Sequence, residues 1–249
     1  LSKRADVNYR IDNLILGKSI YTMKDCELVF KDMNMCLLLL EQGYGFAYFH
    51  DHLDFQSLQN YVNKDFRKVL KMPKPIYLKV AIADAIYSVL NNSNNGYKYK
   101  YFKGNLRTKA RLRAERLVDD IPEGSKVLLL GAVTEIINEC TKRKLDLSVL
   151  DLEPSKIGLI FNQRTVGDSR KLFKEKIKQA DYVIVTGMIF VTETADSLFK
   201  AANHNGCKLI LYMETGSNFG RELLKYGAYK ILSEFFPYYD FFGDTKYAI

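Results

Sequence analysis

Gly131 and Asp151 are the two residues whose types and spacing most clearly predict a ligand site. Gly131 directly follows the apolar run 127–130, and Asp151 directly follows the apolar run 147–150, twenty positions further along the chain. A continuous apolar run is typical of a buried parallel strand, and a glycine at its carboxyl end allows a tight turn. An acidic residue about 20 positions after such a glycine is the usual partner of a ribose hydroxyl in dinucleotide-binding folds. We therefore expect a ligand crevice beyond these strand ends, with Gly131 and Asp151 as cofactor-binding residues.

The glycine motif after the first of these runs is incomplete. A full phosphate-binding fingerprint reads Gly-x-Gly-x-x-Gly, whereas residues 131–136 read Gly-Ala-Val-Thr-Glu-Ile. Two of the three glycines are missing, so the sequence gives little support for a phosphate that binds directly to the backbone of this turn. Asp151 could instead bind a metal, or it could cap a turn, because residues 151–154 read Asp-Leu-Glu-Pro, as a loop before proline would.

Further candidates follow two later apolar runs. In open α/β sheets, ligands bind beyond the carboxyl ends of the strands. Gly187 follows one run and would let a ligand approach the backbone closely. Residues 214–218 follow another; there Gly216 and Ser217 could cradle an anion while Glu214 faces a cation. A tight turn and a plain loop explain the same sequences, so both alternatives stay open.

His50 and His52 form a pair that could bind a metal. Residues two apart on a strand lie on the same face, and imidazole is a common ligand for transition metals. The two histidines need a third ligand, for which Asp54 and Glu214 are candidates, and with Asp151 the predicted metal set is His50, His52, Asp151 and Glu214. The segment also reads as the end of a strand and the start of a loop, where both histidines would be exposed and without a ligand role.

Composition argues against several classes of protein. The chain has 249 residues, 47% of them hydrophobic, and a net charge of +8, with lysine and arginine spread along it as on solvated helix faces rather than a nucleic-acid interface. The four cysteines show no Cys-x-x-Cys spacing, which favours buried thiols in a reducing cytoplasm over a structural zinc site. The longest apolar run, residues 36–40, is far shorter than the ~20 residues that span a bilayer, so we expect a cytoplasmic protein without a membrane partner. The sequence contains neither a P-loop nor a Gly-x-Ser-x-Gly nucleophile motif.

The sequence predicts two domains of the α/β class, residues 1–104 and 105–249. In the first, strand-like runs precede two helices, an α+β arrangement that begins with an antiparallel meander. Its predicted strands are residues 13–21, 26–30, 35–40 and 46–49, and its predicted helices are residues 55–70 and 76–90. In the second domain strands alternate with helices, which implies right-handed crossovers and a parallel sheet. Its predicted strands are residues 126–130, 146–150, 181–186, 208–213 and 229–232, and its predicted helices are residues 106–120, 134–142, 169–179, 194–204 and 219–226.

The two halves together resemble a known pairing of domains. In the first half the resemblance rests on residues 43–48, Gly-Tyr-Gly-Phe-Ala-Tyr, and on the helix 80–86, Val-Ala-Ile-Ala-Asp-Ala-Ile. In the second half it rests on the strand and turn segments 127–131, 150–154 and 180–187. In order and spacing these segments are similar to a Rossmann-like domain of a prokaryotic family of unknown function that is labelled for heavy-metal chelation, together with its enolase-N-terminal-like companion domain.

The resemblance implies a small α+β domain of the enolase-N-terminal type, a Rossmann-like parallel-sheet domain, and a cleft between them. Such clefts are common locations for small-molecule sites. We expect the chain to bind a metal ion or a metal-bearing small molecule there. The alternative is an enzyme that uses a nucleoside cofactor such as S-adenosylmethionine for group transfer, in which Asp151 would hold the ribose hydroxyls. An interaction protein without a working site is a third interpretation, and a homo-oligomer is compatible with all three.

The chain departs from the family's pattern at three places. Asp84 stands where the family tends to have asparagine, Thr192 or Glu193 occupies the stretch after residues 186–187 where the family usually has asparagine, and residues 214–217 stand where it usually has a Gly-Pro-Ser or Gly-Pro-Thr turn. Because the last two places line the presumed crevice, the ligand of this chain could differ from that of its relatives.

Overall fold

A computed structural model describes residues 10–22, 29–50, 58–94, 98–236 and 243–249, which form two compact units. Unit 1 comprises Leu1–Tyr97, Phe190–Thr192 and Glu214–Phe219, and unit 2 comprises Lys98–Ile189, Glu193–Met213 and Gly220–Ile249. Unit 1 contains a small antiparallel sheet and unit 2 a larger, mostly parallel one. The predicted α/β class is therefore confirmed.

Unit 1 is built on a three-stranded antiparallel sheet in the order β1-β2-β3. Its elements are β1 (Ile11–Thr22), β2 (Val29–Leu40), β3 (Gly43–Phe49), α1 (Phe66–Val69) and α2 (Ile76–Asn94). The predicted meander is confirmed, but the predicted runs 26–30 and 35–40 contribute to one strand, β2. Residues 31–34, a mostly polar stretch, read as a turn in the sequence. Pairing of Phe30, Met33 and Asn34 with β1 keeps the strand continuous there, and a shift of register accommodates residues 31 and 32.

Gly45 sets how closely α2 approaches β3. A Cβ atom at this position would lie 1.8 Å from the carbonyl oxygen of Ala81 and 2.4 Å from the amide nitrogen of Ala85. Both atoms belong to the helix backbone, so neither can move aside as a flexible side chain could. The helix and the strand therefore pack at this distance only because residue 45 has no side chain. Nearby, the ring of Phe49 stacks on that of Tyr77 with centroids 3.8 Å apart.

The predicted continuous helix at 55–70 is wrong between residues 59 and 65, whereas Phe66–Val69 within it is helical. Within the described part of this segment, from residue 58 onward, only α1 forms a multi-residue α-helix. Asn63 takes a positive φ of 60°, and its amide donates to the carbonyl of Ile11 at 2.9 Å. This stretch therefore pairs with the start of β1 instead of continuing a helix. Asp65 then begins α1, because its side chain accepts a hydrogen bond from the amide two residues later.

Unit 2 is built on a nine-stranded sheet in the order β4-β12-β11-β10-β9-β5-β6-β8-β7. The strands are β4 (Lys100–Phe102), β5 (Lys126–Leu130), β6 (Asp146–Asp151), β7 (Ile160–Phe161), β8 (Arg164–Asp168), β9 (Tyr182–Thr186), β10 (Lys208–Met213), β11 (Ala228–Glu234) and β12 (Thr245–Ala248). The run from β11 to β8 is parallel, while β12, β4 and β7 are added antiparallel at the edges. Numbered along the chain, the parallel strands have the spatial order 3-2-1-4-5-6, which is that of doubly wound dinucleotide-binding sheets.

The helices of unit 2 follow the predicted alternation with the strands. They are α3 (Leu106–Val118), α4 (Thr134–Lys142), α5 (Ser169–Lys176), α6 (Met188–Val191) and α7 (Ala195–Asn205), with 3-10 helices at Ile177–Gln179 and Gly220–Tyr226. The last two residues of α6 belong to unit 1. The predicted helix at 219–226 is thus a 3-10 helix rather than an α-helix. The strands β4, β7, β8 and β12 and the short helix α6 were not predicted, because these elements are short or carry polar residues.

The core of unit 2 lies between the central strands and two of its helices. Leu129 of β5 and Val149 of β6 are buried in one cluster with Leu117 of α3 and Ile137 of α4. Burial of these side chains holds the strand ends of the sheet in fixed positions. Among the described residues, no helix is long and apolar enough to cross a membrane.

Candidate functional site

The strand order of unit 2 reverses between β5 and β9. From β5 the chain continues to β6 and β8 on one side, and from β9 it continues to β10 and β11 on the other. In open α/β sheets the ligand crevice lies at this switch point, outside the carboxyl ends of the strands. Gly131 follows β5 and Gly187 follows β9, so the structure brings these two predicted residues to the same edge of the sheet.

The backbone at the switch point explains why glycine follows β5. Gly131 has a φ of +100°, which side chains rarely tolerate, and its amide donates to the carbonyl of Leu150 at 2.8 Å. A Cβ atom there would lie 3.8 Å from Cγ2 of Thr186, so this side chain bounds the space in front of the turn. Gly187 is buried, and its amide donates to the carbonyl of Tyr212 at 2.9 Å. The amide of Gly187 is therefore committed to the sheet.

Asp151, at the end of β6, connects the turns that follow two strands. Its Oδ2 accepts a hydrogen bond from the amide of Ala132 at 2.8 Å and lies 3.2 Å from Nζ of Lys156. Its Oδ1 accepts from the amide of Glu153 at 2.9 Å. A carboxylate offers about four lone-pair sites, and three of them are thus used within the protein. Asp151 thus holds the turn after Gly131 in place, and about one of its lone-pair sites is left for a ligand.

The charge on Asp151 follows from the same contacts. Burial raises the pKa of this carboxyl, but the charge of Lys156 and the amide donors outweigh burial and hold the pKa below its usual range. The carboxyl is therefore ionised at neutral pH and can accept a hydroxyl or bind a cation. The ammonium of Lys156 disfavours a bare cation and favours a ligand that brings negative charge. The amide of Ala132, which a glycine-rich loop would offer to a phosphate, is already used by Asp151.

In unit 1, residues 214–219 lie along the free edge of β3. The amide of Gly216 donates to the carbonyl of Phe46 at 3.2 Å, and Oγ1 of Thr215 accepts from the amide of Tyr48 at 3.0 Å. These bonds satisfy backbone groups of β3 that face away from β2. The position of the loop is therefore set by the sheet of unit 1.

The predicted metal ligands are divided between the two units. Asp151 belongs to unit 2, whereas Glu214 and His50 belong to unit 1, where Glu214 is partly buried and His50 is exposed directly after β3. His52 lies outside the described residues. Ser217 is fully buried, and its hydroxyl has no hydrogen-bond partner in the described part of the chain. Across the described ranges, no group of three or more His, Cys, Asp or Glu side chains is placed to hold a metal.

A buried carboxylate that the motif analysis did not select, Asp84 of α2, holds the loop 214–219. Its Oδ2 accepts from the amide of Phe46 at 2.9 Å and from Nδ2 of Asn218 at 3.0 Å, and its Oδ1 accepts from the amide of Asn218 at 2.7 Å. Burial raises the pKa of Asp84 to about 7, against the opposing effect of these donors. Asp84 thereby joins α2, β3 and the loop. A signal existed in the sequence, since an aspartate within the apolar helix segment 80–86 needs partners when buried.

Asn218 completes this cluster with the rest of its polar groups. Its Nδ2 also donates to the carbonyl of Tyr44 at 3.3 Å, and its own carbonyl accepts from Nδ2 of Asn91 at 2.7 Å. Asn218 therefore bridges the helix and the strand on which the loop rests. Its spacing of 134 residues from Asp84 hides the pair from any motif search.

A buried ion pair in unit 2 was also not predicted. Glu234 at the end of β11 is fully buried and accepts from both Nε and Nη2 of Arg113, the latter at 2.7 Å. The hydroxyl of Tyr212 donates to the same carboxylate at 3.1 Å, and the guanidinium lies 5.2 Å from the Tyr212 ring centroid. This bidentate geometry is a strong form of hydrogen bonding. The pair fixes α3 against the sheet.

Residues 116–211 match the sequence profile of the family DUF364, which is described as "Putative heavy-metal chelation". The matched segment runs from α3 to β10 and includes Gly131, Asp151 and Gly187. The predicted resemblance to this family is confirmed, whereas the enolase-N-terminal-like fold of the first domain stays a prediction. No curated protein matches the chain.

Two solved structures are similar to this chain. One is a protein of unknown function from the DUF364 family of Desulfitobacterium hafniense, with a TM-score of 0.65 and 13% identity over 97% of this chain and 92% of that chain. The other is a DUF364 protein of unknown function from Pyrococcus horikoshii, with a TM-score of 0.49 and 12% identity over 88% of this chain and 80% of that chain. The first likeness shows a shared fold. The comparisons give no support to the alternative of an enzyme that uses S-adenosylmethionine.

Proposed function

We propose that the protein binds a metal ion, or a small molecule that carries a metal, at the carboxyl edge of the parallel sheet in unit 2. The observation that carries this proposal is that the family match covers the switch point: residues 116–211 contain Gly131, Asp151 and Gly187. The family's description supplies the chemistry, and the strand order supplies the place where ligands of such sheets bind.

The charges at this edge favour a metal that arrives with negatively charged ligands of its own. Asp151 is ionised and can contribute one oxygen, but Lys156 lies 3.2 Å from that carboxylate. A bare cation would meet the repulsion of the ammonium, whereas an anionic metal complex would be attracted by it. The net charge of +8 acts in the same direction over longer distances.

The described cysteines are unsuited to bind a soft metal as thiolates. Burial raises the pKa of each of these thiols, which are Cys36, Cys140 and Cys207. The thiolate is the form that binds metals, and it is not populated at neutral pH when the pKa is raised. The proposed donors are therefore oxygen and imidazole, and Glu214, His50 and His52 stay predicted ligands in addition to Asp151. Such donors suit borderline divalent ions such as zinc and nickel.

Calorimetric titration with Ni²⁺ alone and with nickel citrate tests the proposal, together with elemental analysis of the purified protein. We expect saturable binding of the complex, tighter than that of the bare ion. The variant Asp151→Asn should weaken binding at least about tenfold, because it removes an ionised ligand. The variant Lys156→Gln should weaken binding of nickel citrate and leave that of Ni²⁺ unchanged or improved.

Asp146→Asn is the matched control, because Asp146 is exposed at the opposite end of the same strand. It makes the same change of charge and should bind like the unaltered protein. Absence of a metal in the purified protein together with no saturable binding of either probe would contradict the proposal. Equal loss of binding in Asp146→Asn and Asp151→Asn would show that the change of net charge, and not the loss of a ligand, weakens binding, and would also contradict the proposal. Glu214→Gln, His50→Ala and His52→Ala test the other predicted ligands by the same titration.

A further inference from the structure

We infer that a notch between β6 and β8 in unit 2 is a second binding site, which takes a small organic anion with an apolar body. The notch is a cavity of about 250 Å³, and its polar lining includes Ser148, Arg164 and Lys176 from three different elements. Its polar lining is separate from the proposed metal ligand Asp151, because Ser148 precedes Asp151 by three positions on β6, which is about 10 Å along a strand.

The notch exists because β6 and β8 pair over only part of their length. Their ladder starts at Val149↔Val166 and continues to the end of β6. Ser148, one position earlier on β6, pairs with β5 on one side and has no strand partner on the other. The first residues of β8, Arg164 and Thr165, pair with β7 instead. The two strands therefore separate at this point, and a cavity opens between them.

Two polar side chains of the notch have no partner within the described ranges. Arg164 is partly buried, and neither its guanidinium nor the hydroxyl of Ser148 has a hydrogen bond or ion pair with any described residue. Lys176 forms an ion pair with its exposed neighbour Glu175 at 3.3 Å. No carboxylate lines the cavity. The guanidinium of Arg164 is therefore available to a ligand, and a carboxylate or phosphate can bind it with two parallel hydrogen bonds.

The floor of the notch is apolar. A Cβ atom at Gly167 would lie 2.7 Å from Cδ2 of Leu150 and 2.7 Å from Cδ1 of Leu172, so these two leucines close over the glycine. Leu172 and Lys176 are one helical turn apart on α5, which places an apolar and a cationic side chain on the same face. The volume exceeds the ~150 Å³ that admits a benzene ring. A ring or a short chain with one anionic group therefore matches both parts of the lining.

Titration of isotopically labelled protein with benzoate, phenyl phosphate and neutral benzyl alcohol, followed by amide chemical shifts, tests this inference. We expect saturable shifts at Ser148, Arg164 and Gly167 with at least one of the two anions, and much weaker ones with the alcohol. The tighter of the two anions identifies the ligand as a carboxylate or a phosphate. Arg164→Gln should weaken binding about tenfold or more, the range for a lost charged hydrogen bond, and Arg164→Lys should give an intermediate effect.

Lys174→Gln is the matched control, because Lys174 is exposed on the same helix outside the notch and the substitution removes one positive charge. It should bind like the unaltered protein. Absence of saturable shifts, equal affinity for benzyl alcohol, or equal weakening by Lys174→Gln and Arg164→Gln would each overturn the inference. Because the readout is local to β6 and β8, none of these outcomes depends on metal binding at Asp151.

Discussion

Titration of Asp84 should make unit 1 less stable as the pH rises through neutrality. Asp84 is fully buried, and burial raises its pKa to about 7 from an ordinary value of 3.8. The folded protein thus binds this proton more strongly than the unfolded chain does. The stabilising contribution is complete below about pH 4 and is lost as the pH rises to about 7 and above. A shift of about 3 units corresponds to about 4 kcal/mol at about 1.4 kcal/mol per unit.

The variant Asp84→Asn removes this titration while keeping one acceptor oxygen. Its amide group places donors against the donors of Asn218 and Phe46, so the variant should be less stable than the unaltered protein at pH 4–5. As the pH rises to 8, the unaltered protein should lose about 4 kcal/mol relative to the variant. The informative quantity is this difference in the free energy of unfolding, because other carboxyl groups titrate equally in both proteins.

Hydrogen exchange of the segments 43–49 and 76–90, corrected for the intrinsic effect of pH, measures the stability of unit 1 separately from unit 2. A carbon NMR titration of aspartate-labelled protein measures the pKa directly, and the signal that Asp84→Asn removes belongs to Asp84. Asp146→Asn, an exposed substitution in unit 2, is the control for the substitution itself and should leave the exchange of the two unit 1 segments unchanged. The reasoning is refuted if the difference between Asp84→Asn and the unaltered protein is the same at pH 4 and pH 8, or if the assigned carboxyl titrates near 4.

Two further substitutions test the packing of each unit. Gly45→Ala should destabilise unit 1 by about 3 kcal/mol or more, because the added methyl overlaps helix backbone, whereas Gly17→Ala meets only a flexible side-chain end and should cost far less; equal thermal unfolding of the two variants would contradict this account. Glu234→Gln should destabilise unit 2 by about 3 kcal/mol, because it removes the buried negative charge that the partly buried guanidinium of Arg113 contacts, whereas Glu123→Gln breaks an exposed pair and should stay within about 0.5 kcal/mol. Urea unfolding monitored by circular dichroism compares these two, and a loss below about 1 kcal/mol for Glu234→Gln would show that the buried pair is not needed for stability.

The parallel sheet could be predicted because its central strands are buried on both faces. Such strands are mostly apolar, so the runs 127–130, Val-Leu-Leu-Leu, and 147–150, Leu-Ser-Val-Leu, are visible in the sequence. The same physics placed Gly131 and Asp151 beside each other, and the hydrogen bond from the amide of Ala132 to Asp151 is the contact that results. Strand β8 was not predicted, because it reads Arg-Thr-Val-Gly-Asp and has Val166 as its one fully buried residue.

The helix predicted at 55–70 shows how tertiary pairing overrides a local pattern. Apolar residues at helical spacing are buried there, among them Leu58, Tyr61 and Phe66. The backbone between them nevertheless hydrogen-bonds to the start of β1, where the amide of Asn63 reaches the carbonyl of Ile11. The spacing of apolar residues indicates which side chains are buried, but it does not indicate which segment the backbone will form hydrogen bonds with.

The sequence by itself determined the strand–helix alternation, the turn at Gly131 and the acidic residue after the second parallel strand, because each follows from local burial and backbone freedom. Only the tertiary structure decided that Asp84 meets Asn218 across 134 positions and that Arg113 meets Glu234 across 121. Many pairings of buried polar groups are compatible with one sequence pattern. The packing of distant segments selects among them, since a buried charge is stable only where donors converge on it.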